Sequence, residues 1–203
     1  MELGKTQLDF IKKNLELLYL HSKRDYTQSY YVGEICAKMA KLLHLTLEET
    51  NALQIAATVH NFGKLKIDKK LLQNENLTAN EKKEMKKHVE YTLKMIKPYF
   101  SKQVYSIVEK HHERLDGSGY PNKLKGEELS LLDRVFHVCD VTSTLMLPNN
   151  SKRALTKHEI ADHLITCVEK GELDEEITQL LIEEYIASCD KIPNKKNHDN
   201  LTK

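Results

Sequence analysis

Four segments of this chain open with the same short pattern, a Ser or Thr followed three residues later by an acid: Thr46 with Glu49, Thr78 with Glu81, Ser130 with Asp133 and Thr156 with Glu159. In such a capping box the hydroxyl accepts an orphan N–H of a helix's first turn and the acid reaches back to the cap. The Asp at Ser130 is a looser match than the three Glu cases. One match is cheap by chance. Four, each ahead of an apolar run at helical spacing, describe an all-α chain. Tyr31, Ile35, Met39 and Leu42 recur at that spacing, as do Ile160, Ala161, Leu164, Ile165 and Val168. Further helices are expected over residues 8–20, 48–62, 81–96, 102–112, 131–145 and 175–188. The one hairpin signal, Asp116-Gly117, lacks alternating flanks. Residues 115–126 hold three glycines and Pro121 and read as an ordered loop. The tail, residues 191–203, has almost nothing to bury and reads as disordered.

Composition narrows the partners. With 203 residues and a formal net charge of +1 there is room for one sizeable domain, and no global field calls for a nucleic-acid polymer. No apolar run approaches the roughly 18 residues that a membrane span needs, and residues 1–10 lack the apolar stretch of a signal peptide. The chain therefore reads as cytoplasmic. Cys36, Cys139, Cys167 and Cys189 show no C-x-x-C spacing and sit in or beside apolar helical patterns, which favours buried free thiols over two disulfides.

Ten histidines are present, and their placement says more than their number. His60 and Asn61 close one expected helix, His88 falls in the middle of another, and His111 and His112 end a third. Asp140 lies inside the apolar run of residues 135–145, where an unpaired carboxylate is costly to bury. Neutral imidazoles and carboxylates together suit first-row divalent metals. Each residue also has a plain alternative: a lone His is commonly a satisfied core or surface group, and Asp140 could pair with a Lys or Arg. His21, His44, His137, His158, His163 and His198 have no comparable context.

The segment His111-His112-Glu113-Arg114-Leu115-Asp116-Gly117-Ser118-Gly119-Tyr120-Pro121 resembles the HHExxDGxGYP signature of HD-GYP domains. Ala56 to Lys64 resembles that family's AAxxHDxGK, Leu77-Thr78 and Met85-Lys86-Lys87-His88 its LT…MxxH stretch, and Arg134 to Val141 its RxxxVxDV. The likeness runs from about Tyr26 to about Tyr185. It implies an HD-superfamily helical domain with a buried metal site over residues 26–190, preceded by a helical extension over 1–25. It also implies hydrolysis of cyclic di-GMP to linear pGpG or GMP, with iron or manganese as the cofactor. Carried over by motif position, the metal ligands are His60, Asn61, His88, His111, His112 and Asp140. Lys64 is the catalytic cation beside the phosphate, and Arg114, Gly119, Tyr120 and Pro121 border the substrate. The same loop is a surface through which a signalling protein could dock. A phosphodiester is anionic, and a metal pair about 3.5–4 Å apart supplies both charge neutralisation and a nucleophile at neutral pH.

Three departures bear on activity. The Asp of the HD pair is Asn61, which offers one neutral oxygen where the family has a bridging carboxylate. The family's further His, roughly 32 residues upstream, is Gln28, a poor ligand for iron or manganese, so two ions or fewer are expected. The family's DxxDAL becomes Asp140 to Leu145 without the second acid, and residues 148–151 replace its RPYR-like segment. The leading expectation is a metal-dependent cyclic di-GMP phosphodiesterase with an altered site. The alternatives are a module that binds cyclic di-GMP or a partner without turnover, and an HD-type hydrolase of another phosphoester.

Overall fold

The computed structural model describes residues 3–74, 76–148 and 153–186, and among these it contains helices, turns and loops but no strand. The helices are α1 (Lys5–His21), α2 (Lys23–Leu42), α3 (Leu47–Val59), α4 (Lys69–Gln73), α5 (Ala79–Lys86), α6 (His88–Ile96), α7 (Lys102–Lys110), α8 (Leu131–Met146), α9 (Lys157–Glu169) and α10 (Glu175–Leu181). All four capping boxes read from the sequence are formed, at the starts of α3, α5, α8 and α9. The expected tail lies outside the described residues.

α2 is the spine, packed against α1, α3 and α8. Its Val32, Ile35 and Met39 are fully buried with Leu53 and Ala56 of α3 and Val135 and Phe136 of α8. Taking each large apolar side chain out of water contributes about 1.5–3 kcal/mol. Burial, rather than propensity, is what holds helices as short as α6 and α7, at nine residues each. α1 adds Leu18 to the same core, with Phe10, Ile11 and Leu15 packed against it. Three of the cysteines, Cys36, Cys139 and Cys167, are free and buried, as expected.

Two expected helices divide where histidines fall. The one over 48–62 stops at Val59 and continues as a short 3-10 segment, Phe62–Lys66. The one over 81–96 breaks at Lys87, so His88 opens α6 instead of lying mid-helix. In both places a histidine ring takes a backbone carbonyl, as described below. The expected helix over 175–188 is α10 followed by a π turn, Ile182–Ile186, and its last two residues lie outside the described part. α4 was not legible in the sequence: it is a single turn capped by Asp68, which accepts from the Lys70 N–H.

The 3-10 segment lies directly against α6. A Cβ on Gly63 would stand 2.0 Å from the His88 carbonyl oxygen and 2.6 Å from the Thr92 nitrogen, so only glycine permits this approach. The Gly63 N–H donates to Thr92 Oγ1 at 2.8 Å, and that oxygen lies 2.9 Å from the carbonyl oxygens of both His60 and His88. Thr92, fully buried, thus joins the two histidine-bearing segments.

Candidate metal centre

One local device sets three of the histidines. His60 Nδ1 lies 2.9 Å from the Ala57 carbonyl oxygen, His88 Nδ1 2.8 Å from that of Met85, and His111 Nδ1 2.6 Å from that of Val108. In each case the partner is three residues back, at a helix end or break where carbonyls lack an intrahelical partner. A carbonyl oxygen only accepts, so each Nδ1 carries the ring hydrogen and each Nε2 is left as a bare lone pair.

Two of those Nε2 atoms, of His88 and His111, meet the Nε2 of His112. His88 Nε2 is 3.4 Å from His111 Nε2 and 3.2 Å from His112 Nε2. The donor atoms of His88, His111 and His112 all lie within 4.8 Å of one another. Burial holds the His88 ring down at about 3, with the charge of Lys64 adding to it. Burial also takes His111 and His112 well below the usual imidazole range, helped by the neighbouring His60 and His111 rings respectively. All three are therefore neutral, ligand-ready imidazoles at neutral pH. His112 turns its Nδ1 toward Asp140 Oδ2 at 3.9 Å, and its ring is stacked by Tyr120, with centroids 4.7 Å apart.

His60 and Asp140 sit beside this cluster, Nε2 to Oδ1 3.5 Å apart, and side-chain amides reach both of those atoms. Asn61 Nδ2 lies 2.9 Å from His60 Nε2 and donates to Gln28 Oε1 at 3.4 Å. Gln28 Nε2 donates to Asp140 Oδ1 and to Thr144 Oγ1, each at 2.8 Å. Gln28 thus does reach the site, as the counted position implies, and it does so as a hydrogen-bond donor.

Lys64 is not a free cation. Its Nζ lies 2.6 Å from Asp25 Oδ1, and both side chains are largely buried. Burial pushes the Asp25 carboxyl up, but Lys64, with Ser22 and Arg24, outweighs this and holds it below its ordinary value. The pair borders a cavity of about 520 Å³ whose walls include His21, Lys23, Arg24, Lys69 and Tyr19.

The loop after α7 is built on backbone contact. A Cβ on Gly119 would fall 2.5 Å from Arg114 N and Glu113 Cα, and the Tyr120 N–H donates to the His112 carbonyl at 3.1 Å. Glu113, fully buried, accepts the N–H groups of Asn122, Lys123 and Leu124 at 2.6–3.1 Å. Pro121 is exposed at the loop's outer edge. Arg114 pairs with Glu172 at 3.1 Å.

Sequence reasoning missed Asp25, Thr92, Glu113 and Thr144. Asp25 carried a usable signal, since Ser22-x-x-Asp25 repeats the cap pattern and the Asp25 N–H does bond Ser22 Oγ. His137, set aside as ordinary, is buried one turn before Asp140, and burial takes its ring down to about 4.

The family model of the HD domain matches residues 5–177. The chain belongs to the HD domain family. Among curated relatives of this HD domain, the 3'3'-cGAMP-specific phosphodiesterase 2 of Vibrio cholerae is 27% identical over 202 residues, covering 96% of this chain and 38% of the relative. The cyclic di-GMP phosphodiesterase response regulator RpfG of Xanthomonas campestris is 34% identical over 129 residues, covering 62% of this chain and 34% of the relative. The chain thus spans little more than a third of these relatives' length. Among solved structures, the HD domain of the L. monocytogenes phosphodiesterase PgpH, in complex with cyclic-di-AMP, superposes with a TM-score of 0.65 at 11% identity, over 87% of this chain and 96% of that one. That likeness shows the fold. No helix among the described residues is long and apolar enough to cross a membrane.

A divalent cation fits one part of the HD domain's site. His88 and His111 aim two buried lone pairs at each other with no hydrogen between them, an arrangement that a shared cation relieves. Their Nδ1–H groups are anchored on carbonyls, the usual outer partner of a ligating imidazole. In the His60–Asp140 part, amide hydrogens already reach His60 Nε2 and Asp140 Oδ1.

Proposed function

We propose that this HD domain is a metal-dependent phosphodiesterase that linearises a cyclic dinucleotide, with cyclic di-GMP as substrate and pGpG or GMP as product. The observation that carries the reading is the convergence of three neutral Nε2 donors, two of whose rings, His88 and His112, feel the charge of Lys64, a side chain that also borders the basic cavity. His88, His111 and His112 would hold the cation, with iron or manganese as its identity. When bound, a divalent ion supplies Lewis-acid polarisation of a phosphoryl oxygen.

The chain's own residues carry the rest. Lys64, positioned by its ion pair with Asp25, would turn its remaining ammonium hydrogens to the phosphate and donate to the oxygen on which charge develops. The cavity falls in the size range of small-ligand sites, about 300–1,000 Å³, and Lys23, Arg24 and Lys69 give it the sign that suits a dianionic substrate. Tyr120 stacks on one face of the His112 ring and holds its orientation. Names of relatives include both cyclic di-GMP and 3'3'-cGAMP phosphodiesterases, so both nucleotides belong in the assay.

The test is direct. Protein loaded anaerobically with iron or manganese is incubated with cyclic di-GMP, 3'3'-cGAMP and cyclic-di-AMP, and products are separated by ion-exchange chromatography. Linear product from cyclic di-GMP, lost in His111→Ala, supports the reading. Metal bound with no linear product from any of the three ends it. A second reading, a module that binds a cyclic dinucleotide without turnover, draws on the engaged state of Asn61 and Gln28. Nucleotide binding by calorimetry with no product would favour it. The loop over residues 117–121 is the surface on which a signalling partner would dock, and pull-down with loop substitutions tests that separately.

A further inference from the structure

The polar cluster is built in two chemically unlike halves. In the first, His88, His111 and His112 gather Nε2 atoms at 3.2–3.4 Å, and the hydrogens of His88 and His111 are spent on the carbonyls of Met85 and Val108. Between His88 Nε2 and His111 Nε2 themselves there is no hydrogen, and His112, 3.2 Å from His88, is the one ring of the three whose hydrogen no carbonyl fixes. In the second half, His60 Nε2 and Asp140 Oδ1 stand 3.5 Å apart, a spacing two ligands of a single ion can adopt, yet the space between them is served by amides.

The hydrogen count there closes. An amide NH₂ has two hydrogens. Those of Gln28 go to Asp140 Oδ1 and Thr144 Oγ1, and those of Asn61 go to His60 Nε2 and Gln28 Oε1. Four hydrogens meet four acceptors. Asn61, His60, Gln28 and Asp140 are all buried, so an ion that took the single lone pair of His60 Nε2 would displace the Asn61 bond and leave a buried amide N–H without its partner.

We infer that Gln28 and Asn61 form a neutral amide latch that keeps a cation out of the His60–Asp140 half, so that each chain takes up one divalent ion, on His88, His111 and His112. The inference rests on the reading of the three-histidine cluster as a metal site. The two amides deliver to His60 and Asp140 the positive partial charge that an ion would otherwise deliver, and they add none of an ion's net charge. The isosteric changes Asn61→Asp and Gln28→Glu keep size and shape while replacing donor hydrogens with acceptor oxygens. They thereby turn the latch into a demand for a cation.

The experiment is metal counting on the full chain, stripped with chelator, reloaded with excess Mn²⁺ under anaerobic conditions and desalted. Manganese per chain is read by mass spectrometry, and magnetic coupling by electron paramagnetic resonance. The parent is expected to hold one ion with an uncoupled spectrum. Asn61→Asp with Gln28→Glu is expected to hold two, with a spin-coupled spectrum. A parent that holds two overturns the inference and leaves the metal-site reading standing. A parent that holds none, or keeps its ion in His88→Ala, overturns the metal-site reading itself. A folded double variant that still holds one shows that the amides are not what excludes the second ion. Should the double variant fail to fold by circular dichroism, Asn61→Asp alone is counted instead. There a rise above one ion per chain supports the latch, and an unchanged count refutes it.

Discussion

Thr92→Val isolates the joint between the His60 and His88 segments. Valine matches threonine in shape, so no cavity opens and the fully buried site keeps its packing. What is lost is one oxygen. The Gly63 N–H, now bonded to Thr92 Oγ1 at 2.8 Å, is left buried without that acceptor, and the carbonyls of His60 and His88 lose a shared donor. An orphaned buried donor costs about 1–3 kcal/mol and a lost ordinary hydrogen bond about 0.5–1.5 kcal/mol. The sum expected is roughly 2–4 kcal/mol. For a chain of this size each kcal/mol moves the melting temperature by about 2–4 °C, which gives a drop of about 4–16 °C. The assay is calorimetric melting of parent, Thr92→Val and Thr92→Ser in chelator, so that metal binding does not enter. Thr92→Ser keeps the hydroxyl and loses a methyl, and it should sit between the two. A Thr92→Val melting point within 2 °C of the parent would refute the claim that this hydroxyl joins the segments.

Asp25→Asn leaves Lys64 as a largely buried cation without its carboxylate, and breaking such a pair costs about 3–5 kcal/mol. The Asp25 carboxyl is held below its ordinary value, so its stabilisation is complete above about pH 4 and is lost as pH falls through the folded-state value. Urea unfolding should therefore show a parent-to-variant gap that is full at pH 7 and narrows below pH 4; a gap constant down to pH 3 contradicts it. Mn²⁺ at a hundredfold excess over its dissociation constant should stabilise the parent by about 2.7 kcal/mol. The same addition should not shift the melting point of His111→Ala. Glu113→Gln weakens three bonds from backbone N–H groups to a carboxylate and should loosen the loop. Limited trypsin digestion should then cut faster at Lys123 and Lys125, and unchanged kinetics would count against the role given to Glu113.

Helix starts were legible because a cap is a local contract between residues three apart: Thr46, Thr78, Ser130 and Thr156 each found the acid that the sequence pairs with it. Helix ends were less so. Nothing in the pattern around residues 48–62 or 81–96 announces that a histidine ring will claim a carbonyl three residues back. The ligand candidates were legible through the motif, and three of them converge within 4.8 Å. The amide network was only half legible. Position 28 could be counted from His60, but which way an amide points is decided by Asp140 and Thr144, more than a hundred residues away. Asp25 was lost for a similar reason, its partner Lys64 being remote in the chain.

The rings that bond back to Ala57, Met85 and Val108 have a consequence for how such a centre can vary. Each side chain ends or breaks its own helix and is aimed by that ending, so the direction of the donor is tied to helix length. Adding or removing one residue inside α3, α5 or α7 turns the following ring by about 100° around the axis, and no sliding of the helix along its groove restores it. Insertions in this chain are therefore expected to be tolerated between helices and not within those three, because there one ring ends the helix through Nδ1 and by that bond sets the direction of Nε2.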